Sequence, residues 1–313
     1  MKNRRLQNRI AEAKYTLPVV SVYAFSVCLA TGLTEHELWA PFALLACSTF
    51  LMVELNNNNI LIRIYSRMVS CSYLVLMVMC PFLLFSKEDS FVQFCFIVFY
   101  LLFFRAYQDK TASAWVFYAF AALGIASLFF VQILYFVPLL WLLMALNLMA
   151  FSGRTFSASL LGLIAPYWFV GAYEFFRGNY TSLPEHLSQL AVFSPSFDYS
   201  QLDSHQITVF FFVAVLSITG GIHFLRNSHQ DKIRTRMLYE IFMVVEVAAI
   251  VFLALQPSHY DILIRIMIIN ASILIGHFLA LTNTKVTNIA FFVILICTLI
   301  ITAFNLWMSS FNF

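Results

Sequence analysis

Charge is what this sequence lacks most. Only 11% of its 313 residues are Asp, Glu, Lys or Arg, against about a quarter in an ordinary soluble domain. So few charges cannot dress a soluble surface for a chain of this length. Paired cysteines are also missing. Cys28, Cys47, Cys71, Cys80, Cys95 and Cys297 all lie in apolar runs, and none forms a C-x-x-C pair or a Cys/His metal spacing. They read as small packing residues, with no disulfide framework and no metal site. The chain has no Walker loop, no H-E-x-x-H, no G-x-S-x-G and no dinucleotide fingerprint, so ATP hydrolysis is excluded and no cofactor is expected. No basic run with interleaved aromatics is present, so no nucleic-acid partner is expected.

What the chain has instead is apolar mass. Hydrophobic residues make up 62% and aromatics 17%, with 35 Phe. Lipid is the natural solvent for such a chain, and membrane lipid its first expected partner. A spanning helix needs about 20 apolar residues. Eleven runs approach that length: roughly 15–33, 39–55, 68–86, 90–106, 114–131, 133–151, 156–176, 207–225, 238–255, 261–282 and 287–308. The division of 114–151 rests on little more than Gln132, Tyr135 and Pro138. Backbone in lipid must satisfy itself, so each run is expected to be helical. The short alternating segments of a membrane barrel are absent. The expected fold is all-α, a polytopic transmembrane bundle of about eleven spans forming one integral membrane domain over 1–313.

Basic residues orient it. With the N-terminus in the cytoplasm, fifteen of the 18 Lys and Arg fall in inside loops, Lys87 and Arg177 fall outside, and Arg265 is intramembrane. Eleven spans then put the C-terminus in the periplasm. Lys2, Arg4, Arg5, Arg9 and Lys14 before an apolar run resemble a signal peptide; the topology requires that run as a retained span. The longest outside loop, 177–206, contains Pro184, Leu187 and Leu190 in a potential short helix, then Phe193, Phe197 and Tyr199. Either an interfacial segment or an aromatic belt explains it.

The hairpin 238–282 holds the groups a bilayer tolerates least. Glu246 lies about 14 Å into its run at 1.5 Å per residue, Arg265 about 6 Å into the next, and Asn270 about 14 Å. Intramembrane ionisable groups usually face the bundle interior, find a partner, and mark a working site. A Glu246–Arg265 pair is geometrically open to these antiparallel helices, and Asp261, four residues before Arg265, is a competing partner. The functional expectation is a ligand-binding niche of Glu246, Arg265, Asn270 and Asp261; the structural alternative is a snorkelling Arg265 paired with Asp261. Glu35 and Glu37, on the first outside loop, are candidate catalytic carboxylates. His223 and His277 read as hydrogen-bonded packing groups. Arg63 and Arg67 are expected on one helix face, and Ile60–Ile64 repeats as Ile262–Ile266, a loose inverted echo.

Two resemblances bear on function. The acidic turn Glu35-His36-Glu37 after the first span is similar to the acidic site of multi-span glycosyltransferases that use polyprenyl-phosphate-linked sugars, although this loop is far shorter. Asn56–Arg67, Gly162–Trp168 and His277–Lys285 resemble an uncharacterised family of multi-span inner-membrane proteins of Bacteroidota. The second resemblance implies a bacterial inner membrane and no particular activity. Three functions follow as expectations: handling of a lipid-linked saccharide or similar envelope amphiphile from the outer leaflet, secondary transport, or a non-catalytic place in an envelope assembly.

Overall fold

The computed structural model describes residues 5–178, 181–192, 197, 199 and 202–311. Among them the regular elements are all helical, with no strand. The α-helices are α1 (Leu6–Glu12), α2 (Thr16–Ala30), α3 (Trp39–Asn59), α4 (Met68–Val78), α5 (Lys87–Phe103), α6 (Ser113–Ser127), α7 (Val137–Leu146), α8 (Gly153–Phe176), α9 (Ser182–Ser188), α10 (Ser204–Asn227), α11 (Ile233–Leu255), α12 (Tyr260–Leu281) and α13 (Lys285–Phe311). Each of the eleven apolar runs forms helix. Seven helices among the described residues, α3, α5, α8 and α10 to α13, are long and apolar enough to cross a membrane. α1 and α2 make an eighth only as one span bent by 89°. α4, α6 and the helical stretch 131–146 are apolar but only 10–17 residues long. These are shorter than the usual span of about 17–25 residues, so seven of the eleven expected spans are single helices long enough to cross.

Three local expectations are corrected. Arg63 and Arg67 share no helix face, because α3 ends at Asn59 and Ile60 takes a left-handed backbone with φ 50°. The asparagine tail explains the stop: side-chain amides compete with helical backbone bonds. Asn56 Nδ2 donates to Ser66 O at 3.1 Å and Asn59 Nδ2 to Leu55 O at 3.0 Å. The string at 60–64 is therefore loop, whereas its echo at 262–266 is helix, so the two are not a structural repeat. The run 68–86 is not one helix either. α4 stops at Val78, and a 3-10 turn, Pro81–Phe85, follows the break. Proline lacks the N–H that would continue the helix. The division of 114–151 does hold, with extended Phe130 between α6 and the next helical stretch.

The connections gather at two ends. At one, Gln7 Nε2 donates to Leu279 O (2.7 Å), Asn8 Nδ2 to Thr282 O (2.9 Å), Arg63 Nη2 to Gln230 Oε1 (2.7 Å) and Arg234 Nη2 to Asn59 Oδ1 (3.0 Å). These bonds tie together the loops that carry most of the Lys and Arg, and this is the basic end. At the opposite end Tyr260 Oη donates to Gln206 O (2.7 Å), Tyr199 Oη donates to Ala254 O (2.9 Å), and His186 Nε2 lies 2.8 Å from Ser127 O. The expected short helix in 177–206 is α9, with Pro184 in its first turn, and His186 holds it against the bundle. Phe193 lies outside the described residues.

α12 is the axis. Every residue of its apolar window is buried, against 22% for α8 and 28% for α13. α4, α5, α10 and α11 surround it. A seam of rings on α5 fills the space beside it, with Phe99 on Phe103 (centroids 4.7 Å) and Tyr100 edge-on to Phe242 (5.0 Å). α10 reaches α12 through Gly220, where an added Cβ would stand 2.5 Å from the Leu274 carbonyl carbon. Small residues permit such backbone contact between membrane helices.

Candidate functional site: three polar tiers on α12

Three tiers of polar side chains cross the bundle along α12. The first surrounds Arg265, which is 1% exposed. Its Nη1 donates to Gln93 Oε1 (3.0 Å) and Ser90 Oγ (3.3 Å) of α5, and its Nη2 donates to Leu83 O in the 3-10 turn. Gln93 Nε2 in turn donates to Tyr73 Oη at 2.8 Å. The break after α4 accounts for this arrangement. A broken helix frees carbonyls, and carbonyls at membrane depth need donors from the protein. Arg265 supplies one for Leu83, and Asn305 Nδ2 of α13 supplies one for Met79. No ion pair joins Arg265 to Glu246 or Asp261 among the described residues. Arg265 does not snorkel, and Asp261 is exposed at the start of α12.

The second tier surrounds Glu246 of α11, which is 3% exposed. Ser217 of α10 and Asn270 of α12 are its polar neighbours, with Tyr100 of α5 within electrostatic range. No hydrogen bond closes: neither carboxyl oxygen has a partner, and neither does Asn270 Nδ2. Asn270 Oδ1 is occupied by Tyr100 Oη at 2.9 Å, and Ser217 Oγ donates to Ala214 O at 2.9 Å. The structure thus brings Glu246 and Asn270 together and puts Arg265 in a separate network. Asn270 lies five residues from Arg265, about 7.5 Å of helix rise.

The third tier lies at the basic end. His277 Nε2 is 3.1 Å from Asp231 Oδ2, and Arg63 Nη1 is 3.9 Å from Asp231 Oδ1. The Asp231 and His277 side chains are 3% and 1% exposed. The His223 and His277 rings are 5.5 Å apart by centroid, and neither Nδ1 has a partner. A cavity of about 280 Å³ opens beside them, with Asn227, Gln230 and Thr287 on its wall. The histidines expected as packing groups thus line a polar pocket.

Glu35 and Glu37 are exposed on the turn between α2 and α3, Glu37 with φ 51°. They join none of the three tiers. Sequence reading missed Gln93, Tyr100, Ser217 and Asp231. Ser90, Gln93 and Tyr100 fall at helical spacing on one face of α5, a signal that was available; Asp231 sits in a loop and gave none. Among the described residues no group of His, Cys, Asp and Glu is arranged to hold a metal ion. No family model, curated protein or solved structure matches the chain.

Proposed function

We propose that this chain is a secondary transporter of a bacterial inner membrane, with Glu246 as the carboxyl at which a proton is exchanged for, or moved with, a small polar solute. One observation carries the reading: a carboxyl buried in the middle tier with both oxygens unpartnered, beside an unpartnered amide nitrogen. Leaving a polar group unbonded in an apolar interior costs several kcal/mol, on the order of 2–7. Arg265, at equal burial, is given three acceptors. A carboxyl without them is suited to bonds that form only when a proton or solute arrives. The His277–Asp231 pocket gives an approach: His277 is seven residues from Asn270, about 10 Å along α12.

In this reading the basic end faces the cytoplasm, the chain crosses about eleven times, and the C-terminus is periplasmic. A reporter fused at Phe313 is expected to show alkaline phosphatase activity, and cytoplasmic fluorescence there overturns the orientation. The lipid-linked saccharide reading ranks second, because it draws on Arg265 and on Glu35 and Glu37. Arg265 is occupied by protein acceptors, and the two glutamates stand on an exposed turn.

The test uses everted membrane vesicles energised to an acid interior and read with a pH-sensitive dye. Sodium, potassium, amino acids and neutral sugars are supplied in turn, added outside to read exchange and preloaded inside to read co-transport. At least one probe is expected to collapse the gradient with the wild-type protein, and Glu246→Gln is expected to abolish that response while leaving folding intact. No response to any probe, or an equal response in Glu246→Gln, sinks the reading.

A further inference from the structure

A second cavity, of about 460 Å³, lies away from the α12 axis. α2 and α3 form its sides, and each packs against α4 rather than against the other. Leu17, Ser21 and Ala24 line it from α2, Leu45, Thr49 and Val53 from α3, and Leu74 of α4 is its floor. The ring contact of Phe25 with Phe42, centroids 5.8 Å apart, joins α2 to α3 toward the far end. The volume falls within the range of about 300–1,000 Å³ usual for small-molecule pockets.

The walls offer no free hydrogen-bond donor. The two hydroxyls on them are spent on their own helices: Ser21 Oγ donates to Leu17 O at 2.9 Å and Thr49 Oγ1 to Leu45 O at 2.8 Å. Charge is confined to the basic end, where Lys14, Tyr65 and Arg67 ring the mouth. Arg67 has a long bond to Asn57 Oδ1 (3.5 Å) and lies 5.5 Å from the centre of the Tyr65 ring. Neither cation has a carboxylate partner among the described residues. An apolar slot with two cations that lack a carboxylate partner at one mouth is complementary to an amphiphile with one anionic head.

We propose that this groove binds an anionic glycerophospholipid, its phosphate on Lys14 and Arg67 and one acyl chain along α2 and α3. Basic pockets between membrane helices recognise anionic lipid head groups in this way. The chain gains apolar burial at about 0.8 kcal/mol per methylene, and the head selects charge. The site is independent of the transport reading, since it shares no residue with the three tiers.

The experiment reconstitutes the full chain with equal phosphatidylglycerol and phosphatidylcholine, then counts retained lipid by native mass spectrometry. At least tenfold preference for phosphatidylglycerol is expected. Lys14→Gln with Arg67→Gln is expected to bring the two lipids to parity. Ala46→Trp, which fills the groove and keeps both cations, is expected to remove bound lipid altogether. Thermal melting of each variant reports folding. Parity in the wild-type protein, or preference unchanged in the double variant, overturns the site. So does displacement of the lipid by millimolar inorganic phosphate, which marks a free-phosphate site. Retention of a polyprenyl phosphate in preference to phosphatidylglycerol also overturns it.

Discussion

Arg265 and Glu246 sit at nearly the same burial, 1% and 3% exposed, on neighbouring helices packed face to face. Their surroundings differ completely. Arg265 meets a carbonyl, an amide oxygen and a hydroxyl from two other elements, with only its Nε left over; Glu246 has Ser217 and Asn270 beside it and no closed hydrogen bond. The contrast separates two uses of a charged residue in an apolar bundle. A cation that satisfies a broken helix acts in the fold, and its two terminal nitrogens are committed. A carboxyl with no closed hydrogen bond adds little to the fold that an amide would not, and it is left open to what reaches it.

The comparison is broken most forcefully at Arg265. Arg265→Met removes the donors to Leu83 O, Gln93 Oε1 and Ser90 Oγ together. Each orphaned buried group costs about 1–3 kcal/mol, so a loss of at least about 3 kcal/mol is expected. Arg265→Lys keeps the charge but not the planar fork and is expected to recover only part of it. Glu246→Gln is expected to leave stability within about 1 kcal/mol, because no hydrogen bond is lost. Denaturant titration of the purified chain in detergent measures all three. If Glu246→Gln falls as far as Arg265→Met, both residues are structural and the distinction disappears.

The sequence carried the improbable groups but not their company. Glu246, Arg265 and Asn270 stand out because each interrupts an apolar run, a signal local in the chain. Their partners are distant: Gln93 is 172 residues from Arg265 and Tyr100 is 170 from Asn270. Antiparallel neighbours in sequence, α11 and α12, made a Glu246–Arg265 pair look natural; packing gave Arg265 to α5 and the turn at Leu83 instead. The turn itself was marked by Pro81, but the apolar run continues through it, so hydropathy alone read 68–86 as one helix. His277 and Asp231 are 46 residues apart and meet only because α10 and α11 fold beside α12. The exposed placement of Glu35 and Glu37 follows from a turn too short to enclose them.

Gly220 sharpens the comparison without touching either charge. It lets α10 lie directly on α12 at Leu274, and Ser217, three residues earlier, thereby reaches the Glu246 tier. In Gly220→Ala the new methyl collides with backbone, which no side-chain rotation relieves, so α10 must move outward. Overpacking of this kind costs about 1–3 kcal/mol, less than the loss expected at Arg265. The displaced element serves the Glu246 tier and, through His223, the His277 tier, but not the Arg265 network, whose partners come from α5 and the Pro81–Phe85 turn. Gly220→Ala is therefore expected to remain folded in detergent, with a modestly lowered melting temperature, and to lose the solute-dependent response in vesicles. A variant that melts lower yet transports at the wild-type rate would show that Ser217 and the spacing of α10 are irrelevant to the carboxyl. The working group would then have to be sought at the His277–Asp231 pocket.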